Sequence, residues 1–412
     1  MVVELRRIGN ESLTLVTALE KACFPSDFWS RATLRGVLAR WSDSVSVGAF
    51  ARGELVGYVS ASLSEPWEVH VLSLAVAPGH RGRGTASRLV SSVLHWACMR
   101  GCTRAFLEVR VSSESARAAY ERLGFCCEGV SDGYYEDGGA ALVMSMDLSP
   151  EQEVAGIATA FRDLFDGRVP RVGVILGSGI GWLAEIDEPG FAVPYEQIPG
   201  MSGSSVEGHK GMLLVNGNGS TVYLMGRRHH YQGYDGRQVS ALPAALASLG
   251  VDSWLLTTSA GAVVPDLRTG DAVVITDHVN LSGCVPAEPL RPVGPSVYSR
   301  RLGVKTVEMG FEAGMPVREG VFACVSGPAY ETGSEVSLLA DSGVDVVSMS
   351  TVQEALALAS QGCEVIGVAL VTNDVGSGES VSHTEVLRAQ TAVRSAQGAL
   401  LRKLVEKMEL GK

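Results

Sequence analysis

The sequence predicts an α/β protein built in two parts. Three observations carry that expectation: short apolar runs of strand character recur along the chain, helical spacing separates several of them, and a strand-to-helix signal near residue 149 splits them into two sets. In the first set, runs at 45–50, 55–63, 69–77 and 105–111 read as strands. Leu89, Val90, Val93, Leu94 and Ala97 fall at helical spacing between the last two. Val143–Leu148 alternates like a strand and ends the set. Ser149 is followed by Pro150 and, three residues on, by Gln152; a capping serine, a proline at the first helical position and a glutamine that reaches back start a helix. Domains are therefore expected at 1–148 and 149–412.

In the second part strands are expected at Val172–Leu176, Thr221–Met225, Trp254–Thr258, Ala272–Thr276, Gly320–Val325, Val344–Ser348 and Val365–Val371. A long helix over 384–410 closes the pattern.

Of the 412 residues, 46% are hydrophobic and 19% charged, which excludes disorder over most of the chain and leaves room for two cores. Residues 1–148 hold 15 basic and 16 acidic side chains and the remainder 19 and 29, so the nets are −1 and −10. Neither part has the basic field that nucleic-acid binding uses, and no nucleic-acid partner is expected. No apolar stretch approaches the roughly 18 residues of a membrane span, and the first residues lack a signal-peptide core. Eight cysteines without a Cys-x-x-Cys pair give no zinc or redox signature. A cytoplasmic chain with reduced thiols, no membrane contact and no metal is expected.

The strand ending at Val76 runs into Pro78, Gly79, His80, Arg81, Gly82, Arg83, Gly84, Thr85 and Ala86, where an amphipathic helix begins. A strand, a glycine-rich turn and a helix N-terminus turn backbone N–H groups toward one anion, and a pyrophosphate suits them. The Arg81-x-x-Gly84-x-Ala86 pattern resembles the acetyl-CoA loop of the GNAT N-acetyltransferases. Phe106, Glu108 and Arg110 on a strand, Ser113, and then Ala119, Tyr120, Gly124 and Phe125 agree with it. Essentially all of 1–148 resembles the branch that acetylates the N-terminal amine of a ribosomal protein.

That resemblance implies a mixed sheet and acetyl-CoA as co-substrate, held by Val76, Arg81, Gly82, Arg83, Gly84, Ala86 and Ser113. It implies Glu108 as the base, acting through water on the ammonium of an amine such as a protein N-terminus, and Tyr120 as the acid that protonates the departing thiolate. Tyr134 and Tyr135 match a tyrosine pair near the peptide site. Ser113 stands where the family usually has asparagine.

In the second part, the strand ending at Leu176 runs into Gly177, Ser178, Gly179, Ile180 and Gly181. A dinucleotide fingerprint would place glycine at 182, where Trp182 stands, so a hydroxyl in a glycine turn suits a single phosphate better. Arg227, Arg228, His229 and His230 cluster at a strand end within an acidic part, and such clustering repels itself unless an anion or carboxylate answers it. Ser350 and Thr351, each with Gln353 or Glu354 three residues on, read as a capped helix start. Three anion-ready turns suggest one phosphate site at the carboxyl ends of the strands.

These stretches, with Gly208-His209, Gly327 to Thr332, Thr372-Asn373 and Ser382 to Val386, resemble the trimeric purine nucleoside phosphorylases over nearly the whole part. The resemblance implies a central mixed sheet flanked by helices and a homotrimer. It implies that Ser178, His209, Arg227, His229, Ser259 and Ser350 hold inorganic phosphate. Tyr231, Met349 and His383 would position the ribose, and Tyr330, Glu331 and Asn373 the purine.

Breaking the N-glycosidic bond leaves positive charge on the sugar and negative charge on the purine. Phosphate, held by His229 among others, waits on the sugar side, Glu331 and Asn373 serve the purine, and no metal is called for. Four places depart from the family: Gln232 replaces a glutamate, Ser259 to Ala262 alter the pocket floor, Asp374 follows Asn373, and 281–302 is shortened with Tyr298 its remaining aromatic. A fusion of N-acetyltransferase and purine nucleoside phosphorylase is the leading expectation. The alternatives are methylthioadenosine specificity and a domain that senses its ligand without turnover.

Overall fold

A computed structural model describes the chain apart from residues 1–2, 26, 40–41, 99, 136, 186–188, 199–200, 202–209, 287–295, 376–382 and 412, and apart from the side chains of 150–151, 163, 189, 383–393 and 395–396. It divides into two units, the first running to Glu153 and the second from Val154.

The first unit is a seven-stranded sheet. Its strands are β1 (Glu4–Arg7), β2 (Ser44–Ala51), β3 (Glu54–Glu65), β4 (Glu68–Val76), β5 (Arg104–Arg110), β6 (Cys126–Ser131) and β7 (Ala141–Asp147), in the order β1-β2-β3-β4-β5-β7-β6. Neighbours are antiparallel except β4 and β5, which run parallel. That parallel pairing stops at His70↔Phe106 although both strands continue, so their carboxyl ends part. Helices α1 (Leu13–Cys23), α2 (Arg31–Val37), α3 (Thr85–Cys98) and α4 (Glu114–Arg122) pack on the sheet. The α3 residues at helical spacing, Leu89, Val90, Val93 and Ala97, are fully buried in its core.

Among the described residues the second unit has nine strands: β8 (Val172–Ile175), β9 (Pro189–Pro194), β10 (Met212–Asn216), β11 (Thr221–Met225), β12 (Ser253–Ala262), β13 (Ala272–Leu281), β14 (Val317–Val325), β15 (Val346–Ser348) and β16 (Glu364–Asp374). The order β15-β14-β13-β16-β12-β8-β11-β10-β9 carries an added β15–β12 pairing, so five strands close into a ring. Closure removes the edges that an open sheet would leave there. Strands β11, β8, β12 and β16 run parallel to one another, which brings their carboxyl ends to one side. Around them lie α5 (Pro150–Phe165), α6 (Gly236–Leu249), α7 (Arg300–Glu312), α8 (Gly333–Asp341), α9 (Val352–Ser360) and α10 (His383–Glu409). Leu400, Leu401, Leu404, Val405 and Met408 of α10 complete the core over β8, β12 and β16.

The sequence missed β1, β6, β9 and β10, which lie at or next to the edges of the two sheets and are only four to six residues long. Short edge strands carry little periodicity, and β6 is mostly exposed on both faces.

Candidate active sites

In the first unit, alternation along β5 buries Ala105, Leu107 and Val109 and turns Phe106, Glu108 and Arg110 to the other face. There His70 Nε2 and Glu108 Oε2 are 2.7 Å apart, and the imidazole stacks on Phe106 with centroids 4.3 Å apart. Burial pushes the Glu108 carboxyl up, but the His70 hydrogen bond and charge, with a hydrogen bond from Tyr134, outweigh it and leave the carboxyl below its ordinary value. Burial and the nearby carboxylate push the Tyr134 phenol up to about 12. Tyr135 meets Tyr134 edge to face at 5.1 Å, and the Arg110 guanidinium lies 3.9 Å over its ring. Tyr120, on α4, is buried edge-on against Phe125 at 5.7 Å, and burial raises its phenol well above the ordinary range. His70 was not legible as a site residue.

The loop after β4 is held by Arg81, whose Nε donates to Val76 O at 2.9 Å, the carbonyl that Cys23 Sγ also approaches. Gly82 and Gly84 have φ of +70° and +76°, and an added Cβ would meet nothing at either. Backbone conformation rather than space selects glycine here. Arg83 lies between them, and α3 starts at Thr85 and Ala86, whose N–H groups have no intrahelical acceptor, as at any helix start. Ser113 is the N-cap of α4 but makes no capping bond with its side chain.

In the second unit one cleft, about 670 Å³ including its open mouth, is lined by Ser178, Arg227, His229, Tyr231, Ser259, Tyr330, Glu331, Met349, Ser350 and Asn373, with Thr258, Thr372 and Val375 among others. These side chains come from the carboxyl ends of β8, β11, β12, β15 and β16 and from the turns after β11 and β14. Gly177 lets β8 lie against β12: an added Cβ would stand 2.9 Å from Thr258 Cα. His209 lies outside the described residues; α10 begins at His383, whose side chain also lies outside them.

The cationic cluster divides. Arg227 and His229, two apart, face the cleft, whereas Arg228 donates to Gln238 O at 3.1 Å and lies over the Tyr234 ring, and His230 Nδ1 is 3.0 Å from Tyr234 O. His229 N–H donates to Gln232 Oε1 at 2.9 Å, and its ring stacks on Tyr231. Arg227 Nη1 donates to Ser350 Oγ and Thr351 Oγ1 at 3.0 and 2.9 Å, and Nη2 to Thr257 O at 2.8 Å. Thr258 Oγ1 lies 3.2 Å from Ser350 Oγ, and Ser259 Oγ donates to Ser178 O at 2.9 Å.

A helix does start at Ser350 and Thr351 as expected, with Thr351 as the N-cap of α9, but its side-chain cap is corrected. Thr351 caps α9 with φ +81° and no side-chain bond, because its hydroxyl serves Arg227. Gln353 instead donates to Ser282 Oγ at 2.8 Å, and Glu354 is buried 3.4 Å from Arg227 Nε. Burial holds the Glu354 carboxyl above its ordinary value, against the Arg227 guanidinium and the N–H groups of Thr351 and of Glu354 itself. The burial of Glu354 behind Arg227 had no signal beyond the capping pattern it was assigned to.

Thr372 Oγ1 is 3.0 Å from Asn373 Oδ1, and Asn373 Nδ2 is a buried donor with no acceptor among the described residues. Burial raises the Glu331 carboxyl, its own N–H lowers it, and Glu335 adds a further rise. Asp374 is exposed and does not line the cleft; Val375 does. Tyr298 is packed inside the unit, its hydroxyl 3.1 Å from His278 Nδ1, and so is not presented outward. Among the described residues no group of three His, Cys, Asp or Glu side chains is placed to hold a metal, and no helix is long and apolar enough to cross a membrane.

Residues 171–406 match the phosphorylase superfamily profile, and residues 13–125 match that of the acetyltransferase (GNAT) family. Purine nucleoside phosphorylase 1 of Bacillus subtilis is 33% identical over 257 residues, 58% of this chain and 93% of the relative. The purine nucleoside phosphorylase of Mycobacterium tuberculosis is 39% identical over 238 residues, 56% and 87% of the two chains. Among solved structures, Schistosoma mansoni purine nucleoside phosphorylase in complex with inosine aligns with a TM-score of 0.54 at 32% identity, over 62% of this chain and 96% of that one.

Proposed function

This chain belongs to the phosphorylase superfamily and carries a GNAT acetyltransferase domain ahead of it, and from that premise we propose that its second unit splits 6-oxopurine nucleosides, inosine and guanosine, with inorganic phosphate. The observation that carries the reading is the convergence of Arg227, His229, Ser350, Glu331 and Asn373 on one cleft. A phosphate oxygen attacks C1′, the C1′–N9 bond breaks with its electron pair going to the purine, the proton that phosphate loses reaches a ring nitrogen of the base through water, and the products are the free base and ribose 1-phosphate. Arg227, His229, Ser178, Ser259 and Ser350, with His209, would hold phosphate. Tyr231, Met349 and His383 would hold the ribose, and Tyr330 would pack on the base. Asn373 Nδ2 donates to the ring nitrogen where negative charge develops, and Glu331 accepts from the N–H edge that a 6-oxopurine has and a 6-aminopurine lacks. That edge favours inosine over methylthioadenosine.

The first unit would transfer acetyl from acetyl-CoA to an amine such as a protein N-terminus. The amine nitrogen bonds to the thioester carbon, the C–S bond breaks, Glu108 takes the ammonium proton through water and Tyr120 protonates the thiolate. Val76, Arg81 to Gly84, Ala86 and Ser113 would hold the co-substrate. The resemblance to trimeric phosphorylases supports a cytoplasmic homotrimer without nucleic-acid partners, which sedimentation would test.

The deciding assay is phosphate-dependent release of hypoxanthine and guanine from inosine and guanosine, beside adenosine and methylthioadenosine. No release above a Glu331→Ala control rejects the first reading. Acetyl-CoA turnover with peptides bearing different N-terminal residues tests the second.

A further inference from the structure

Behind Arg227 the structure places a carboxylate that is not part of the cleft wall. Glu354, in the first turn of α9, is 1% exposed and stands 3.4 Å from Arg227 Nε. The guanidinium is positioned by other groups. Ser350 Oγ, Thr351 Oγ1 and Thr257 O accept from its two Nη atoms at 2.8 to 3.0 Å.

Thr351 is held in a costly conformation to do this. Its φ of +81° and ψ of −42° form a three-residue turn in which Val352 N–H donates to Ser350 O at 3.0 Å. A non-glycine residue adopts such a turn only where its surroundings impose it, and Thr351 is fully buried. Neutral acceptors fix where the guanidinium lies, while Glu354 answers its charge.

We propose that Glu354 is the resident counter-ion of Arg227, balancing the guanidinium while the cleft holds no anion and setting phosphate affinity below what the cradle alone would give. The proposal rests on reading this cleft as a phosphate site. An arriving phosphate shares a cation with a carboxylate already in place and is repelled by that carboxylate. Both charges are buried, so salt screens the repulsion little. Replacing Glu354 by its neutral isostere keeps the cradle and removes the competing charge. An uncompensated buried cation then burdens the empty form more than the loaded one, and anion binding gains the difference.

The test is Glu354→Gln in the full chain, with inorganic phosphate as the probe in calorimetry and thermal unfolding. The variant should melt lower than wild type without phosphate, bind phosphate about tenfold more tightly, and gain more in Tm from saturating phosphate. Equal or weaker phosphate binding by the variant overturns the proposal. If Glu354→Gln does not fold without phosphate, refolding in its presence decides: recovery supports the proposal, and failure in both buffers overturns it. The double variant Arg227→Met/Glu354→Met should fold and gain less in Tm from phosphate than wild type, and a gain as large as that of Glu354→Gln overturns the proposal too. Inosine turnover is scored separately, so tighter phosphate binding without turnover would sink the phosphorylase reading alone.

Discussion

Thr372 Oγ1 lies 3.0 Å from Asn373 Oδ1, nearer than its other acceptor, Ala260 O at 3.3 Å. A hydroxyl hydrogen on Oδ1 fixes the amide the other way round, with Nδ2 as the donor that has no acceptor among the described residues. Thr372→Val keeps the shape of the side chain and removes that hydrogen. It is expected to lower kcat for inosine about fivefold to tenfold, one net hydrogen bond's worth, with little change in the KM for phosphate. Asn373→Ala, which removes the donor itself, should cost roughly 10² or more in kcat. Steady-state kinetics of both variants check the order, and an unchanged kcat in Thr372→Val would mean that the amide is fixed by something else.

Glu331 gives a pH signature. Its carboxyl is raised above 4.5 by burial, against its own N–H and with a further rise from Glu335, so folding shifts it toward protonation. The stability this contributes is complete below 4.5 and is lost as pH rises through the raised value. A 6-oxopurine needs the ionised form as acceptor. The acid limb of kcat/KM for inosine should therefore fall with an apparent pKa above 4.5, and Glu331→Gln should lose roughly 10² in rate together with that limb. A pH–rate profile from 4 to 8 is the measurement, and an acid limb that survives in Glu331→Gln would remove Glu331 from the role.

In the first unit the same reasoning runs with the opposite sign. Burial raises the Glu108 carboxyl, yet His70 and Tyr134 bring it below its ordinary value of 4.5. Its contribution to stability is therefore full above 4.5 and fades as pH falls through the lower, folded value. His70→Phe keeps a ring over Phe106 and removes the bond, so the acid unfolding midpoint of this unit should move to higher pH, as followed by circular dichroism. Glu108→Gln should reduce acetyl transfer by roughly 10² to 10⁴, the span of general base catalysis, while leaving the acetyl-CoA thermal shift intact.

Much of this was readable in one dimension because the informative residues are close in sequence. Arg227, His229 and Tyr231 share one run whose cations stand out against an acidic part, although the run itself does not separate Arg227 and His229, which line the cleft, from Arg228, which turns away to Gln238 O. His70 and Glu354 were not readable, since their roles depend on register and depth. His70 reaches Glu108, 38 positions on, because β4 and β5 are parallel and in step at His70↔Phe106. Glu354 has the spacing of a capping glutamate, and only the positive φ of Thr351 and the burial of Arg227 reveal another use. A capping pattern specifies local hydrogen bonds; it does not know that a buried cation lies within reach.

Tyr120 separates a structural from a chemical role most sharply. Its ring packs edge-on against Phe125 at 5.7 Å, and burial, with the Tyr135 phenol adding a little, keeps its hydroxyl protonated well past neutral pH. A residue in that state can give a proton and cannot serve as a base at ordinary pH. Tyr120→Phe retains the packed ring, so the melting temperature should move little while acetyl transfer falls about tenfold to a hundredfold. Rate loss alone does not separate proton donation from a hydroxyl that serves only shape. Acyl donors with thiols of lower pKa settle it, since a thiolate that leaves readily needs no proton. With such donors the deficit of Tyr120→Phe should shrink toward wild type; a deficit independent of thiol pKa would show that Tyr120 does not protonate the leaving group.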